Sequence, residues 1–189
     1  MGLKAFEDSA EFEQQQIWAN FRSGDRNAFE RIYKSYFPEM YRYGMAIAMN
    51  EAVVKDAIQQ LFLNLWQYRS NLSDVQKLSS YLLKSLKTKI FKIEQEINKP
   101  KKELTPEKLG LDFLPSHESV IIESHDNEIN TKQLKLVVND LPVRQREAIL
   151  LIFFENKTYE EVSELMSMNV QSVYTLVWRG ISTLRKKLS

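Results

Sequence analysis

Cysteine is absent from the 189 residues, and histidine occurs only twice, at His117 and His125. Disulfides, thiolate metal sites and cysteine nucleophiles are thereby excluded, and imidazole chemistry has little to draw on. No catalytic residue, metal ligand or cofactor is expected, so the chain reads as a non-enzyme. Long apolar runs are missing too. Nothing approaches the ~20 residues that span a bilayer, and the opening Met1-Gly2-Leu3-Lys4-Ala5-Phe6-Glu7 lacks the apolar core of a secretion signal. A cytoplasmic protein with no membrane insertion is the expectation. Proline is sparse, and Pro100, Pro106 and Pro115 crowd between residues 98 and 130 together with both histidines. Apolar periodicity lapses in the same stretch, which reads as a linker.

On either side of that stretch the pattern is helical. Hydrophobic residues make up 43% and charged residues 27% of the chain, enough apolar content for one or two small cores. No period-two alternation is sustained enough to require a sheet. The expected fold is all-α, with two small helical domains joined by a linker: residues 1–100, a flexible 101–130, and 131–189. The first domain reads as helices near 11–22, 25–48, 51–68 and 78–97, broken at Gly24, Asn50 and Ser70-Asn71-Leu72-Ser73-Asp74. The second reads as helices near 131–139, 142–155, 159–166 and 170–187. Pro142 suits a first helical position, and Thr158-Tyr159-Glu160-Glu161 is a capping box that starts the third of these helices.

Net charge is +1, which alone says nothing about nucleic acid, but the charge is segregated. Lysines 84, 87, 89, 92, 99, 101 and 102 face only Glu94 and Glu96 between residues 79 and 102, and Arg179, Arg185, Lys186 and Lys187 close the chain without an acid. The stretch 98–130 carries seven acids against four lysines. Two basic segments around an acidic one fit two phosphate-facing surfaces and a connector that avoids phosphate. Ordinary solvated helix faces would give similar counts.

Helix 159–166, the break Ser167-Met168-Asn169 and the helix from Val170 have helix-turn-helix spacing, with Asn169 placed to cap the second helix. Such a unit lays its second helix in a DNA major groove, although plain helical scaffolds also contain tight helix pairs. Val170, Val173, Val177, Ile181, Leu184 and Leu188 share one stripe that is expected to face a core. Gln171, Ser172, Thr175 and Arg179 are left on the other arc to reach bases or phosphates. Tyr174 and Trp178 sit at the stripe's edges and read as core rim.

In the helix over 79–97, Leu82, Leu86, Ile90, Ile93 and Ile97 form the stripe to be buried. Lys84, Lys87, Thr88 and Phe91 lie opposite. A lysine row that includes an aromatic suits a backbone-tracking, base-stacking surface, and the preceding loop with Tyr68, Arg69 and Asn71 has the character of one that holds an extruded base. The helix over 51–68 buries Ile58, Leu61, Phe62 and Leu65 and presents Asp56, Gln59, Gln60, Leu63 and Gln67. A leucine among uncharged polar groups suits a protein contact, and equally a quiet surface helix.

Taken in order, these segments resemble the extracytoplasmic-function (ECF) group of the sigma-70 family across nearly the whole chain. Asp56-Ala57-Ile58-Gln59-Gln60-Leu61-Phe62-Leu63-Asn64-Leu65-Trp66 is similar to that family's polymerase-binding helix. Gly24-Asp25 with Ala28-Phe29 and Ile32-Tyr33 is similar to its opening pattern. Leu141-Pro142, Arg144-Gln145-Arg146-Glu147, Tyr159-Glu160-Glu161-Val162 and Ser172-Val173 resemble its C-terminal promoter-reading domain.

The resemblance implies a sigma factor whose partners are core RNA polymerase, promoter DNA and an anti-sigma factor. Asp56, Gln59, Gln60, Leu63 and Gln67 would bind polymerase. Tyr68, Arg69, Asn71, Tyr81, Lys84, Lys87, Thr88 and Phe91 would read and melt the minus-ten element, and Gln171, Ser172, Tyr174, Thr175 and Arg179 would meet minus thirty-five. Tyr81, Lys84, Lys87 and Thr88 stand where the family has Trp, Arg, Arg and Asn. Lysine keeps the charge but loses the bidentate fork, which favours phosphate over base contacts there.

The chain also departs from the family pattern. Gln60 replaces a usual glutamate, and Tyr174 and Leu176 replace common Lys and Arg. The Val-Tyr pattern is similar to that of Bacteroidetes sigma factors that work with a membrane anti-sigma partner and an outer-membrane transducer. Two rivals remain open. One is a sigma-like decoy that binds polymerase or a regulator without reading promoters. The other is a helix-turn-helix repressor that needs no polymerase.

Overall fold

The computed structural model describes residues 2–98 and 137–188, with side chains from Phe12 onward; the expected linker 101–130 lies outside the described residues. Those described form helices and turns without a strand. The helices are α1 (Gly2–Arg22), α2 (Arg26–Ala48), α3 (Glu51–Tyr68), α4 (Leu78–Ile97), α5 (Val143–Ile149), α6 (Tyr159–Met166) and α7 (Val170–Leu188). A 3₁₀ turn at Arg69–Asn71 follows α3, and a π turn at Leu150–Phe154 follows α5.

Local chemistry sets most boundaries. Gly24 adopts φ 98 between α1 and α2, a left-handed conformation open to glycine without steric cost. Asp25 then caps α2 by accepting from the Asn27 amide at 2.8 Å, and Asn50 caps α3 by accepting from Val53 at 3.2 Å. The capping box is present in both directions: Thr158 Oγ1 accepts from the Glu161 amide at 3.2 Å, and Glu161 accepts from the Thr158 amide at 2.9 Å. Asn169 Oδ1 accepts from the Ser172 amide at 2.7 Å, as its position before α7 predicts.

Helices α1–α4 pack as a bundle around an aromatic centre. Phe29, Tyr33 and Phe62 meet at centroid distances of 5.9 Å and 4.8 Å, and Trp66 lies 5.1 Å from Phe29. The indole of Trp18 donates to the Ser73 carbonyl at 3.0 Å, tying α1 to the loop before α4. Ile58, Leu61, Phe62 and Leu65 are buried as the spacing of α3 requires. A methyl group added at Gly44 would stand 2.6 Å from Val54 Cγ1, so α2 and α3 approach each other through the missing side chain.

Several expectations are corrected. α1 starts at Gly2 rather than near residue 11, and the helix expected over 142–155 runs over 143–154 but changes from α to π geometry after Ile149. Pro142 stands at its N-cap, and after Ile149 the chain widens into the π turn, where the Glu155 amide reaches back five residues to the Leu150 carbonyl at 3.1 Å. The stripes are shorter than their periodicity suggests: Ile97 is 64% exposed and Leu188 52%, each in a last turn that no described neighbour covers. On α7 the buried residues are Val173, Val177 and Gly180, with Val170, Ile181 and Leu184 only partly covered.

The helices after residue 137 do not stand apart from the bundle. Their buried Ala148, Leu151, Val162, Leu165 and Met166 join the bundle's buried residues in one continuous cluster, with α5 against α2 and α6 against α4.

Candidate nucleic-acid interface

The lysine face of α4 is built as its periodicity predicts, but it is not open along its length. Lys84 and Thr88 are exposed, and the Phe91 ring is half exposed. Lys87 is the exception. Its Nζ donates at 2.6 Å to Glu147 Oε1 on α5, and only 19% of its side chain meets solvent. The expectation that Lys84 and Lys87 jointly face nucleic acid is therefore corrected for this arrangement, because a buried carboxylate from the C-terminal helices holds one of them. Beside that contact lies a cleft of about 700 Å³ between α4 and the C-terminal helices, lined by Lys84, Phe91, Val143, Arg144 and Met166. The half-exposed Phe91 ring thus borders an apolar wall rather than bulk water alone.

The expected base-holding loop takes shape beside the start of α4. Asn64, Tyr68, Leu72, Tyr81 and Lys89 line a recess of about 250 Å³, which brings Tyr68 and Tyr81 to one site. Tyr81 is partly buried and meets Trp18 edge-on at 5.9 Å. Arg69 turns away from the recess. Its guanidinium stacks 4.4 Å from the Trp66 ring centroid and donates to the Trp66 carbonyl at 2.6 Å. Its position is explained by holding the end of α3, whereas Asn71 is exposed.

What periodicity missed is the set of polar contacts joining the C-terminal helices to the bundle. Tyr43 donates to Glu147 Oε1 at 2.7 Å, the same oxygen that Lys87 bonds, and Glu147 is 2% exposed. Burial first, then the adjacent carboxylate, raises the Tyr43 phenol well above its ordinary range, so it remains a donor. Arg42 grips both oxygens of Glu155 at 2.7 Å and 2.9 Å, a bidentate pair that raises the arginine's pKa despite its partial burial. Lys157 bonds Glu39 at 2.9 Å and Ser79 at 2.7 Å, while the serine hydroxyl donates to Glu39 at 2.6 Å. Lys77 bonds Glu161 at 2.8 Å. Buried Arg146 donates to the Ala46 carbonyl of α2 and, at 2.6 Å, to that of Asn139. The π turn contributes here, since its extra residue changes the angular register that delivers Glu155 to Arg42. A signal did exist in the sequence: Arg146 and Glu147 fall within an otherwise apolar helical face.

On α7 the outward arc is covered by none of the described residues. Gln171 and Arg179 are exposed, Ser172 and Thr175 partly so. Thr175 Oγ1 is turned back to the Gln171 carbonyl at 3.0 Å. Tyr174 is 47% exposed and stacks on Tyr159 of α6 at 3.9 Å, tying the two helices of the turn motif together. Trp178 corrects the expectation of a core rim: it is 70% exposed, one turn beyond Tyr174, near the middle of the arc opposite Gly180. On α3, Asp56, Gln59 and Gln67 are exposed, with Gln60 and Leu63 partly so. Gln60 donates to Asp56 at 3.0 Å, which orders this polar face.

Among the described residues, no helix is long and apolar enough to cross a membrane, and no group of acids and histidines is arranged to hold a metal ion. Residues 131–184 match the family model for sigma-70, region 4. The chain is similar to the ECF RNA polymerase sigma factor SigM of Bacillus subtilis, 21% identical over 162 residues that cover 82% of this chain and 92% of the relative. It is also similar to the ECF sigma factor SigW of the same organism, 24% identical over 176 residues, covering 88% and 92%. Two solved structures share the fold. The sigma factor RpoE of Bartonella quintana, in complex with the anti-sigma factor NepR, has a TM-score of 0.59 at 16% identity and covers 85% of this chain and 96% of its own. CnrH in complex with the cytosolic domain of CnrY has a TM-score of 0.63 at 14% identity, covering 93% and 96%.

Proposed function

Because the chain belongs to the ECF group of the sigma-70 family, we propose that it carries core RNA polymerase to particular promoters and helps open the DNA there. The observation that carries this reading is the coexistence, on one chain, of three differently built faces. A polar α3 face with Leu63 at its centre serves polymerase. The α4 lysine face with its Tyr68–Tyr81 recess serves the melted minus-ten strand, and the outward arc of α7 serves minus thirty-five.

In this reading residues 1–100 hold the polymerase and minus-ten contacts, residues 131–189 hold the minus-thirty-five contacts, and 101–130 connect them. Polymerase sets the spacing of the two halves, so two weak DNA contacts reinforce one another as an effective-concentration gain. Opening follows from trapping unpaired bases at the Tyr68–Tyr81 recess, with Lys84 and Lys87 on the backbone; this offsets an unstacking cost of a few kcal/mol per step. Arg69 supports the recess by fixing the end of α3, and Asn71 stands free to meet the strand. An anti-sigma protein is the third partner, consistent with the complexes in which RpoE and CnrH were solved.

Run-off transcription from genomic fragments with purified core polymerase tests the reading. Promoter-dependent transcripts are expected from the intact chain and none from Leu63→Asp, with the fold of that variant retained by circular dichroism. Polymerase capture without transcripts would favour the decoy, and tight sequence-specific DNA binding without polymerase would favour a repressor.

A further inference from the structure

We propose that the Tyr43 hydroxyl and the Lys87 ammonium form a phosphate seat for promoter DNA, which Glu147 of the chain's own C-terminal half occupies in the closed arrangement, so that carboxylate and DNA exclude each other. The inference rests on the sigma-factor reading of α4 and adds a site and a means of control. Two donors on different helices, α2 and α4, converge on a single oxygen at 2.7 Å and 2.6 Å. A carboxylate oxygen and a non-bridging phosphate oxygen are the same kind of ligand to such a pair: anionic, compact, and able to accept two charge-assisted bonds.

The seat lies beside the open part of the lysine face, since Lys84 stands one turn before Lys87 on α4, Thr88 directly follows it, and both remain exposed. A backbone tracking those residues would pass over Lys87. Tyr43 has 0% exposure, and Glu147 is the one acceptor its hydroxyl finds among the described residues. When Glu147 leaves, a phenol and an ammonium that were satisfied by one anion require another, or water.

The same geometry explains how the seat is kept closed and why it can open. Glu147 is buried and bonded to Tyr43 and Lys87 only while the C-terminal helices sit on the bundle, aided by Arg42–Glu155, Lys157–Glu39 and Lys77–Glu161. These ion pairs accompany an apolar contact through Ala148, Leu151, Val162, Leu165 and Met166, so separation hydrates the charges but also exposes that surface, a cost that whatever parts the halves must offset. A third body that holds the two halves apart would free the seat at the moment when DNA is presented.

The test uses the full chain and a fluorescein-labelled oligothymidylate of about twenty nucleotides, read by anisotropy across a salt series. Glu147→Gln is expected to bind about tenfold more tightly than the parent at low salt, with a log–log salt slope steeper by about 0.7 for each phosphate gained. Adding Tyr43→Phe should reduce the gain, and adding Lys87→Met should remove the extra slope. Unchanged affinity and slope in Glu147→Gln, or a gain that survives Lys87→Met, overturns the seat.

Should Glu147→Gln fail to fold, a second variant decides. Because the chain has no cysteine, Arg42→Cys with Glu155→Cys can be bridged by a short bis-maleimide. The bridged form is expected to lose oligonucleotide binding relative to the unbridged form, and equal binding refutes exclusion. Transcription by the parent chain with core polymerase separates the two levels: activity there alongside a negative result above sinks only the seat, whereas no activity sinks the sigma-factor reading.

Discussion

Two faces of this chain were expected to meet DNA on the same grounds, yet the fold treats them differently. The outer arc of α7 carries Gln171, Arg179 and a Trp178 that is 70% exposed, and nothing described covers it. The lysine face of α4 has its middle residue, Lys87, held by Glu147 under the C-terminal helices. Periodicity separates the core side of a helix from its other side. It does not say whether that other side faces water or another part of the chain, because a buried ion pair and a solvated lysine look alike in a heptad. The difference teaches that two faces alike in sequence pattern can differ in accessibility, one open among the described residues and the other closed at its middle residue by an ion pair.

The comparison breaks most directly at Arg146. Arg146→Met leaves the Ala46 and Asn139 carbonyls without their charged donor, and the expected cost is about 3 kcal/mol, read as a lower urea midpoint. If the closed arrangement depends on this residue, the distance between dyes on α2 and α6 lengthens in the same variant. An unchanged midpoint and distance would mean that the arginine does not hold the halves together. Next comes the double change of Lys84→Ala with Lys87→Ala, which removes two cations from the α4 face. Promoter opening, followed by permanganate footprinting, should fall by about tenfold or more while pull-down of core polymerase is unchanged. Equal loss of both would argue that α4 serves the fold and not the DNA.

A smaller effect is expected on the open face. Arg179→Ala should weaken minus-thirty-five-dependent binding by about 1 kcal/mol, the low end for one side chain at a base edge or phosphate, and should leave thermal stability alone because the residue is exposed. A stability loss instead would place Arg179 in the structure of the domain. The smallest effect concerns pH. Burial raises the Glu161 pKa, but hydrogen bonds from Lys77 and the Thr158 amide outweigh it, and the net shift is below the ordinary value of 4.5. A depressed carboxylate stabilises the folded form fully above its unfolded pKa, and that contribution is lost as pH falls through the folded value. Glu161→Gln should therefore flatten the stability profile only below about pH 4.5, and an equal difference at all pH values would assign the residue's role to capping alone.

Much of the fold was legible because its signals are local. The limits of α3, α4 and α6 follow from Asn50, the loop before Leu78 and the Thr158 capping box, which act within a few residues of themselves. The apolar faces of α3 and most of α4 were equally readable, since helical periodicity and burial share one physical origin. Legibility failed where a neighbour's presence or absence decides the outcome. Ile97 and Leu188 fit their stripes but have nothing to pack on, and Trp178 fits a rim that the fold does not supply. The change from α5 to a π turn was also hidden, because Leu150–Phe154 is an unremarkable apolar run for an α-helix.

Sequence alone determined that this is a chain of helices carrying a turn motif and two basic faces, and the resemblance in its motifs pointed to promoter-directed transcription. Those features reside in spacing and residue chemistry, which belong to the chain whether or not it is folded. Only the tertiary structure decided that Glu147 meets Lys87 and Tyr43 across more than fifty residues of chain. Pairing at such separation depends on how two apolar surfaces dock, and no local pattern carries that information.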